Sequence, residues 1–140
     1  MKHVLTAALL LFSSVVFCQV SGTYIPTLSV TPKIQPNPVI WQSHYSSIGN
    51  EVFVDGHITV SVTVSSGLVQ THVSLPIPSN LLSGLPENSY GSGIVLQSTD
   101  ITAVNCFLQG NTSANDVLLS WRPTQSGAQN LFYHFCYTIK

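Results

Sequence analysis

Four histidines beyond the N-terminal segment carry side chains that could bind a metal or act as general bases: His44, His57, His72 and His134. No two of them are two or four residues apart, and those are the spacings at which one strand or one helix places two ligands on the same face. The spacing therefore predicts no metal site. Each histidine is expected on a solvated face of a strand.

The carboxylates and serines show no catalytic pattern either. Glu51 and Asp55 fall in a predicted strand, whereas Glu87, Asp100 and Asp116 fall beside predicted turns, where acidic side chains commonly cap backbone amides. A glycosidase needs two carboxylates across a cleft, and no serine lies in a Gly-x-Ser-x-Gly elbow. We therefore predict a protein without enzymatic activity and without a cofactor. A carboxylate pair brought together through space is the alternative that the spacing leaves open.

Three aromatic side chains are better candidates for binding a ligand: Trp41, Tyr45 and Tyr90. Trp41 and Tyr45 flank His44 ahead of a predicted strand, and Tyr90 lies in a Gly/Ser-rich stretch two residues from Asn88. An exposed aromatic face beside an amide or a carboxylate can stack on a sugar ring. We therefore predict a glycan contact at these residues. Packing in the core is the alternative for each of them.

Two cysteines, Cys106 and Cys136, remain if an N-terminal segment ending at Cys18 is removed. An exported chain folds in an oxidising compartment, where two such cysteines can form a disulfide. A bridge would close a loop of about 30 residues and add roughly 3 to 4 kcal/mol in the chain-entropy model. We predict this disulfide. Two separate core cysteines are the alternative, because the sequence does not fix the distance between the strands that carry them.

The elements that must position these residues are β-strands. After a turn at Ile48-Gly49-Asn50, residues 51–64 alternate, with valines and one isoleucine on one face and Asp55, His57 and hydroxyl side chains on the other. A second alternating stretch at 68–75 follows across Ser65-Ser66-Gly67. The two stretches predict an antiparallel hairpin.

Further strands are predicted at 93–98, 101–109, 117–122 and 130–139. The prolines within 29–38 predict an extended edge crossing, and those within 76–92 predict a second break with a short helical turn at 79–83. Trp121 alternates with apolar residues and is predicted to lie in the core. Seven or eight short strands in about 120 residues predict an all-β fold, an antiparallel β-sandwich of the jelly-roll kind.

The N-terminal segment has the features of a signal peptide. Lys2 and His3 form a short basic start, residues 4–17 are apolar, and a signal peptidase could cleave before Gln19. We predict a signal helix at 1–18 and one domain at 19–140. A retained N-terminal helix is one alternative, and lipidation at Cys18 is another, which the large side chain of Phe17 disfavours.

The composition excludes one class of partner. The predicted mature chain has three basic residues against five acidic ones, a net charge of −2. Clustered lysines and arginines are needed to bind phosphates, so nucleic acid is not an expected partner. The apolar stretch at the N-terminus is short for a membrane span, which needs about 20 residues, and no second one follows. The mature domain is therefore predicted to insert into no membrane.

Four segments, in order, resemble a module of bacteriophage tail fibres and other virion appendages. They are Gly22-Thr23-Tyr24-Ile25-Pro26-Thr27-Leu28, residues 45–58 with the pattern Y-x-x-I-G-N-x-V-x-V-x-G-x-I, Leu75-Pro76, and Phe135-Cys136-Tyr137-Thr138-Ile139. The resemblance spans almost the whole predicted mature chain. It implies a structural or receptor-binding module, commonly trimeric, in a virion.

The signal peptide favours a different setting. Virion proteins are normally assembled in the cytoplasm, so an exported chain indicates a secreted or surface-attached adhesion or carbohydrate-binding protein that carries the same module. Both hypotheses predict a homo-oligomer and a cell-surface glycan or protein receptor as the partner. A secreted enzyme is the third and weaker hypothesis, because no set of catalytic residues clusters in the sequence.

Overall fold

The computed structural model describes residues 19–29, 31–78, 89–97, 100–111 and 115–139, without the side chains of 89, 90, 97 and 100–102. The predicted signal helix at 1–18 and the helical turn at 79–83 lie outside these residues. The described residues form ten strands, and their bounds are β1 Gln19–Tyr24, β2 Leu28–Ser29, β3 Val39–Ile40, β4 Ser43–Ile48, β5 Glu51–Val62, β6 Val69–Ser74, β7 Ser89–Gln97, β8 Asp100–Asn111, β9 Asp116–Trp121 and β10 Gly127–Thr138.

The strands form one antiparallel sheet in the order β1-β4-β5-β10-β7-β8-β9-β6-β2, with β3 paired to β5. The two edge strands, β1 and β2, are joined by only Ile25, Pro26 and Thr27, so the sheet must curl until its edges meet. Thr27 exchanges hydrogen bonds with Ser74, and the Tyr24 hydroxyl donates to the Ser74 carbonyl at 3.2 Å. The predicted all-β antiparallel class is confirmed. The predicted strand number is too low, because β2 and β3 have only two residues each.

The predicted hairpin of residues 51–64 and 68–75 is wrong. β5 pairs with β4 and β10, whereas β6 pairs with β9 and β2. The turn around Gly67 instead carries the chain from one half of the curled sheet to the other. Alternation specifies which face of a strand is buried, but it does not specify which strand becomes the neighbour.

The core lies inside the curl and receives side chains from strands in both halves of the sheet. β5 buries Val52, Val54, Ile58, Val60 and Val62, as its alternation predicts. Trp121 on β9 is fully buried, and its indole N–H donates to Oε1 of Gln129 at 2.7 Å. Leu131, Tyr133, Phe135 and Tyr137 on β10 complete this core.

The predicted disulfide is also wrong, because both cysteines are free. Cys106 on β8 pairs with Gly93 of β7, which pairs in turn with Tyr133 of β10. Cys136 is three residues beyond Tyr133, an odd number, so it faces the opposite side of the sheet from Cys106. Two strand spacings of about 4.8 Å also separate them, and a bridge needs Cα atoms within about 7 Å.

An extra residue between β3 and β4 shapes one edge of the sheet. Ile40 pairs with Ile58 and His44 with Asp55, so four steps along this strand match three along β5. The bulge falls at residues 41–43, and β1 pairs with β4 only as far as the Tyr24–Ser43 pair. Trp41 therefore lies at an edge, beside the point where β1 leaves the sheet.

Candidate functional site

Four side chains form an aromatic row across the outer face of the sheet. Trp41, His57, Phe132 and Ile94 come from the segment after β3 and from β5, β10 and β7. The Trp41 and His57 rings are 5.7 Å apart and 4° from parallel, and those of His57 and Phe132 are 4.3 Å apart and 7° from parallel. Rings stacked in this way stand upright on the sheet and form a continuous apolar ridge.

The aromatic row is open to solvent although it is apolar. Trp41 is 52% exposed, Ile94 50% and Phe132 44%. His57 fills the space between two rings, where its Nε2 is shielded from solvent without a hydrogen-bond partner among the described residues. Because His57 covers one face of the indole and Trp41 lies at an edge, the second face of the indole remains accessible.

A polar row runs parallel to the aromatic row, two residues away from it on β5, β10 and β7. Thr23, His44, Asp55, His134 and Ser92 face one another in register on β1, β4, β5, β10 and β7. Nδ1 of His134 lies 2.7 Å from Oδ1 of Asp55, and both side chains are mostly exposed. The pair fixes the orientation of the imidazole, and the Thr23 hydroxyl accepts a hydrogen bond from the Gln42 amide at 2.7 Å. The second oxygen of Asp55, the Ser92 hydroxyl and the His44 imidazole make no hydrogen bond within the described residues and are available to a ligand.

Two depressions lie along these rows and share Asp55. The larger, of about 370 Å³, has Phe132 and Ile94 on one side and Asp55, His134 and Ser92 on the other. Its floor is the backbone of Gly56, Tyr133 and Gly93, three paired residues on the inward-facing side of the alternation. The smaller, of about 330 Å³, is lined by Ser21, Gly22, Thr23, His44, Tyr45, Ser46 and Asp55. Together they form one shallow surface with an apolar wall and a polar wall.

Asp55, His134 and Ser92 stand in one row, with His134 bonded to Asp55 and no hydrogen bond between Ser92 and His134. Within the described ranges, no group of three His, Cys, Asp or Glu side chains is placed to hold a metal ion. No helix in the described part of the chain is long and apolar enough to cross a membrane.

Buried tyrosines support the outer face from beneath. Tyr133 on β10 shares a 3.0 Å hydrogen bond with Ser43 on β4, which ties the two strands on either side of β5 together. Burial raises the pKa of Tyr133, and it raises the pKa of Tyr24 as well. Burial also raises the pKa of Tyr137 to about 12, although hydrogen bonds with the Ile77 backbone oppose the shift. The phenols therefore remain neutral over the physiological range.

Of the three predicted ligand-binding residues, Trp41 has its ring on the aromatic row, and Tyr45 contributes to the lining of the smaller depression. The Tyr45 ring points inward, against Gly22 and edge-on to Tyr24, with the two ring centroids 6.3 Å apart. The side chain of Tyr90 lies outside the description, and its backbone pairs with Cys136.

The sequence interpretation missed His57, Phe132 and the His134–Asp55 pair as site residues. A signal for two of them was present, because His57 and Asp55 are on the wet face of β5. Phe132 lies between the buried Leu131 and Tyr133, so the alternation of β10 places it on the outer face. The pairing of β5 with β10, which joins these residues, had no signal in the sequence.

No family model, no curated protein and no solved structure matches this chain.

Proposed function

We propose that this protein is a non-enzymatic receptor-binding module whose ligand is a cell-surface glycan, bound across the aromatic and polar rows. The observation that carries the proposal is the exposed stack of Trp41, His57 and Phe132 beside the His134–Asp55 pair. A pyranose ring has an apolar face of C–H groups and an equatorial belt of hydroxyls. The aromatic row can contact the C–H face, and the polar row can bond to the hydroxyls.

The charge and shape of the surface favour a glycan over other ligands. Its charged groups are one carboxylate and histidines, which suit hydroxyl donors and acceptors but not a chain of phosphates. The two depressions are shallow and connected at Asp55, so an extended chain of sugar units fits better than a single compact molecule. Polar residues that fix orientation beside an apolar wall are typical of ligand sites.

The module belongs either to a virion or to a secreted or surface-attached protein. The four-segment resemblance supports a virion appendage, whereas the N-terminal segment supports a secreted or surface-attached adhesion protein. We propose the first setting, with a homotrimer as its assembly, and the second remains the alternative. Imaging of purified particles with a labelled antibody against the protein distinguishes them, because only a virion protein will label particles.

The architecture that we propose for this role is an antiparallel β-sandwich with jelly-roll topology. Its halves would be β1-β4-β5-β10-β7 and β8-β9-β6-β2. This division is supported by the core, where Phe135 of the first half and Trp121 of the second belong to one buried cluster. In such a sandwich the outer face of the first half is available for a ligand.

The test is binding of the purified mature protein to an array of cell-surface oligosaccharides, followed by calorimetric titration of the best ligand. We expect Trp41→Ala and Phe132→Ala to weaken binding at least tenfold while the melting temperature changes by no more than a few degrees, because both rings are about half exposed. Ile25→Ala is the matched control. It removes an exposed apolar side chain from the segment between β1 and β2 and should leave binding unchanged.

Two results would overturn the proposal. One is a protein that binds no glycan on the array, or that binds equally well with and without both rings. The other is hydrolysis of a polysaccharide that Asp55→Asn abolishes, which would make the same surface an active site. Tyr45→Ala separates folding from binding, since its inward ring should affect stability first.

A further inference from the structure

A second concave surface lies at the opposite half of the sheet, where β9 ends. It is a notch of about 460 Å³ with a mainly apolar lining, and its residues are Leu68, Ala103, Val104, Asn105, Phe107, Trp121, Arg122 and Thr124. Phe107 is 73% exposed on its rim, the highest value of any large apolar side chain in the described chain. None of these residues belongs to the aromatic or polar row.

The notch coincides with a strand edge. β8 pairs with β7 from Asp100 to Phe107, but its ladder with β9 begins only at Phe107. β9 ends at Trp121, and the chain then leaves the sheet. Between Ala103 and Asn105, β8 therefore has a strand partner on its β7 side only, as far as the described residues show. Alternate residues of such an edge direct their N–H and C=O groups away from the sheet.

The rim of the notch is positively charged. Arg122 lies in its lining and makes no ion pair or hydrogen bond with the described residues. The Lys33 ammonium donates to the Leu68 carbonyl at 2.7 Å, so a second cation lies beside the same rim. An acidic group on a ligand would thus meet unpaired positive charge.

We propose that the notch accepts an extended segment of a partner protein as an additional strand on β8. The partner backbone pairs with the edge at Ala103–Asn105, an apolar side chain of the segment enters the notch against its apolar lining, and a carboxylate of the segment lies beside Arg122. Addition of a strand to an exposed edge is an established mode of peptide recognition, in which backbone hydrogen bonds supply affinity and side-chain pockets supply specificity. An alkyl carboxylate would use the notch and Arg122 but would leave the strand edge unpaired.

The probe is the peptide acetyl-Thr-Val-Thr-Val-Glu-Val-Thr-amide, titrated into the isotopically labelled mature protein and followed by NMR and amide hydrogen exchange. We expect shifts centred on Ala103–Phe107 and slower exchange of alternate amides in that stretch. A peptide with proline in place of its central valine should lose at least tenfold in affinity, because proline cannot donate to the ladder. Arg122→Gln should weaken binding of the parent peptide roughly two- to fivefold, the range of an exposed ion pair.

Arg122→Lys is the charge-conserving control for Arg122→Gln, and most of the parent affinity should survive it. Phe107→Ala tests the apolar rim and should weaken binding without loss of the fold. Any of three results would overturn the proposal: no binding of the parent peptide at millimolar concentration, equal binding of the proline peptide, or shifts at the aromatic and polar rows instead of β8. Binding of dodecanoate that depends on Arg122, with no protection of β8 amides by the peptide, would assign the notch to an amphiphile.

Discussion

Gly56 lies opposite Tyr133 in the ladder between β5 and β10, and the phenol ring of Tyr133 folds over it. A β-carbon at position 56 would overlap the ring carbons and the hydroxyl of Tyr133. The same ring reaches across to Ser43, so the glycine lets one tyrosine span β5 beneath the candidate site. The absence of a side chain at Gly56 therefore makes room for the Tyr133 ring inside the sheet, and the backbone of the same two residues lines the larger depression on the outer face.

Gly56→Ala should destabilise the fold by roughly 2 to 3 kcal/mol, the cost of overpacking a tightly filled core. Urea unfolding followed by circular dichroism measures it. The control is Gly67→Asn, in an open turn with φ of 85°, a conformation that asparagine tolerates. That variant adds backbone strain but no overlap and should lose less stability than Gly56→Ala. Equal losses for the two variants would contradict the packing role of Gly56.

Trp121→Ala should cost roughly 3 to 5 kcal/mol, because a large and fully buried ring is removed. Gln129→Leu tests the polar contact separately. It leaves the buried indole N–H without its acceptor and should cost roughly 1 to 3 kcal/mol. Gln70→Leu removes a partly buried amide that bonds only to Ser120 and should cost less. A Gln129 variant as stable as the wild type would show that the indole finds another acceptor.

Stability should fall at alkaline pH. Burial raises the pKa of Tyr137 to about 12 from its ordinary value of 10.0, so in the window between those values the unfolded chain releases a proton that the folded chain retains. The contribution is complete below pH 10 and is lost as the pH rises toward 12. The raised pKa values of Tyr24 and Tyr133 act in the same direction.

Urea unfolding at pH 8 and pH 11 measures the effect, and absorbance at 295 nm follows the phenols. Tyr137→Phe should lose about 1 kcal/mol at pH 8, since its hydroxyl bonds to the Ile77 backbone. The variant should also show a smaller decline toward pH 11. Identical stability of the wild type at both values would mean that the folded phenols ionise as freely as the unfolded ones.

The two core-domain cysteines should be present as thiols. Alkylation of the denatured mature protein without reductant should label both Cys106 and Cys136, as mass spectrometry can show. In the folded protein Cys106 should react far more slowly, because it is buried and its pKa is raised to about 12 by that burial. If neither cysteine is labelled until a reductant is added, the two cysteines form the disulfide after all.

The exported protein should begin at or near Gln19. Its intact mass decides the matter, since cleavage removes the basic start and the apolar stretch together. Recovery of a chain that still begins at Met1 would indicate that the segment is retained.

What the sequence by itself determined is the all-β class and the buried face of the most regular strands. Alternation with a period of two marks inward and outward positions locally, so the inner face of β5 and the burial of Trp121 were readable without any neighbour. Strand partners were not readable, because many valine-rich strands offer equivalent edges. The predicted hairpin and the predicted disulfide were wrong for this reason.

Only the tertiary structure decided the candidate site. The pairing of β5 with β10 sets His57 against Phe132 and Asp55 against His134 across more than seventy positions of sequence, and the bulge after β3 brings Trp41 to the same row. Each of these side chains alone resembles an ordinary surface residue. Their proximity is fixed by a ladder register that depends on how the whole sheet curls around its core, and local sequence does not encode that choice.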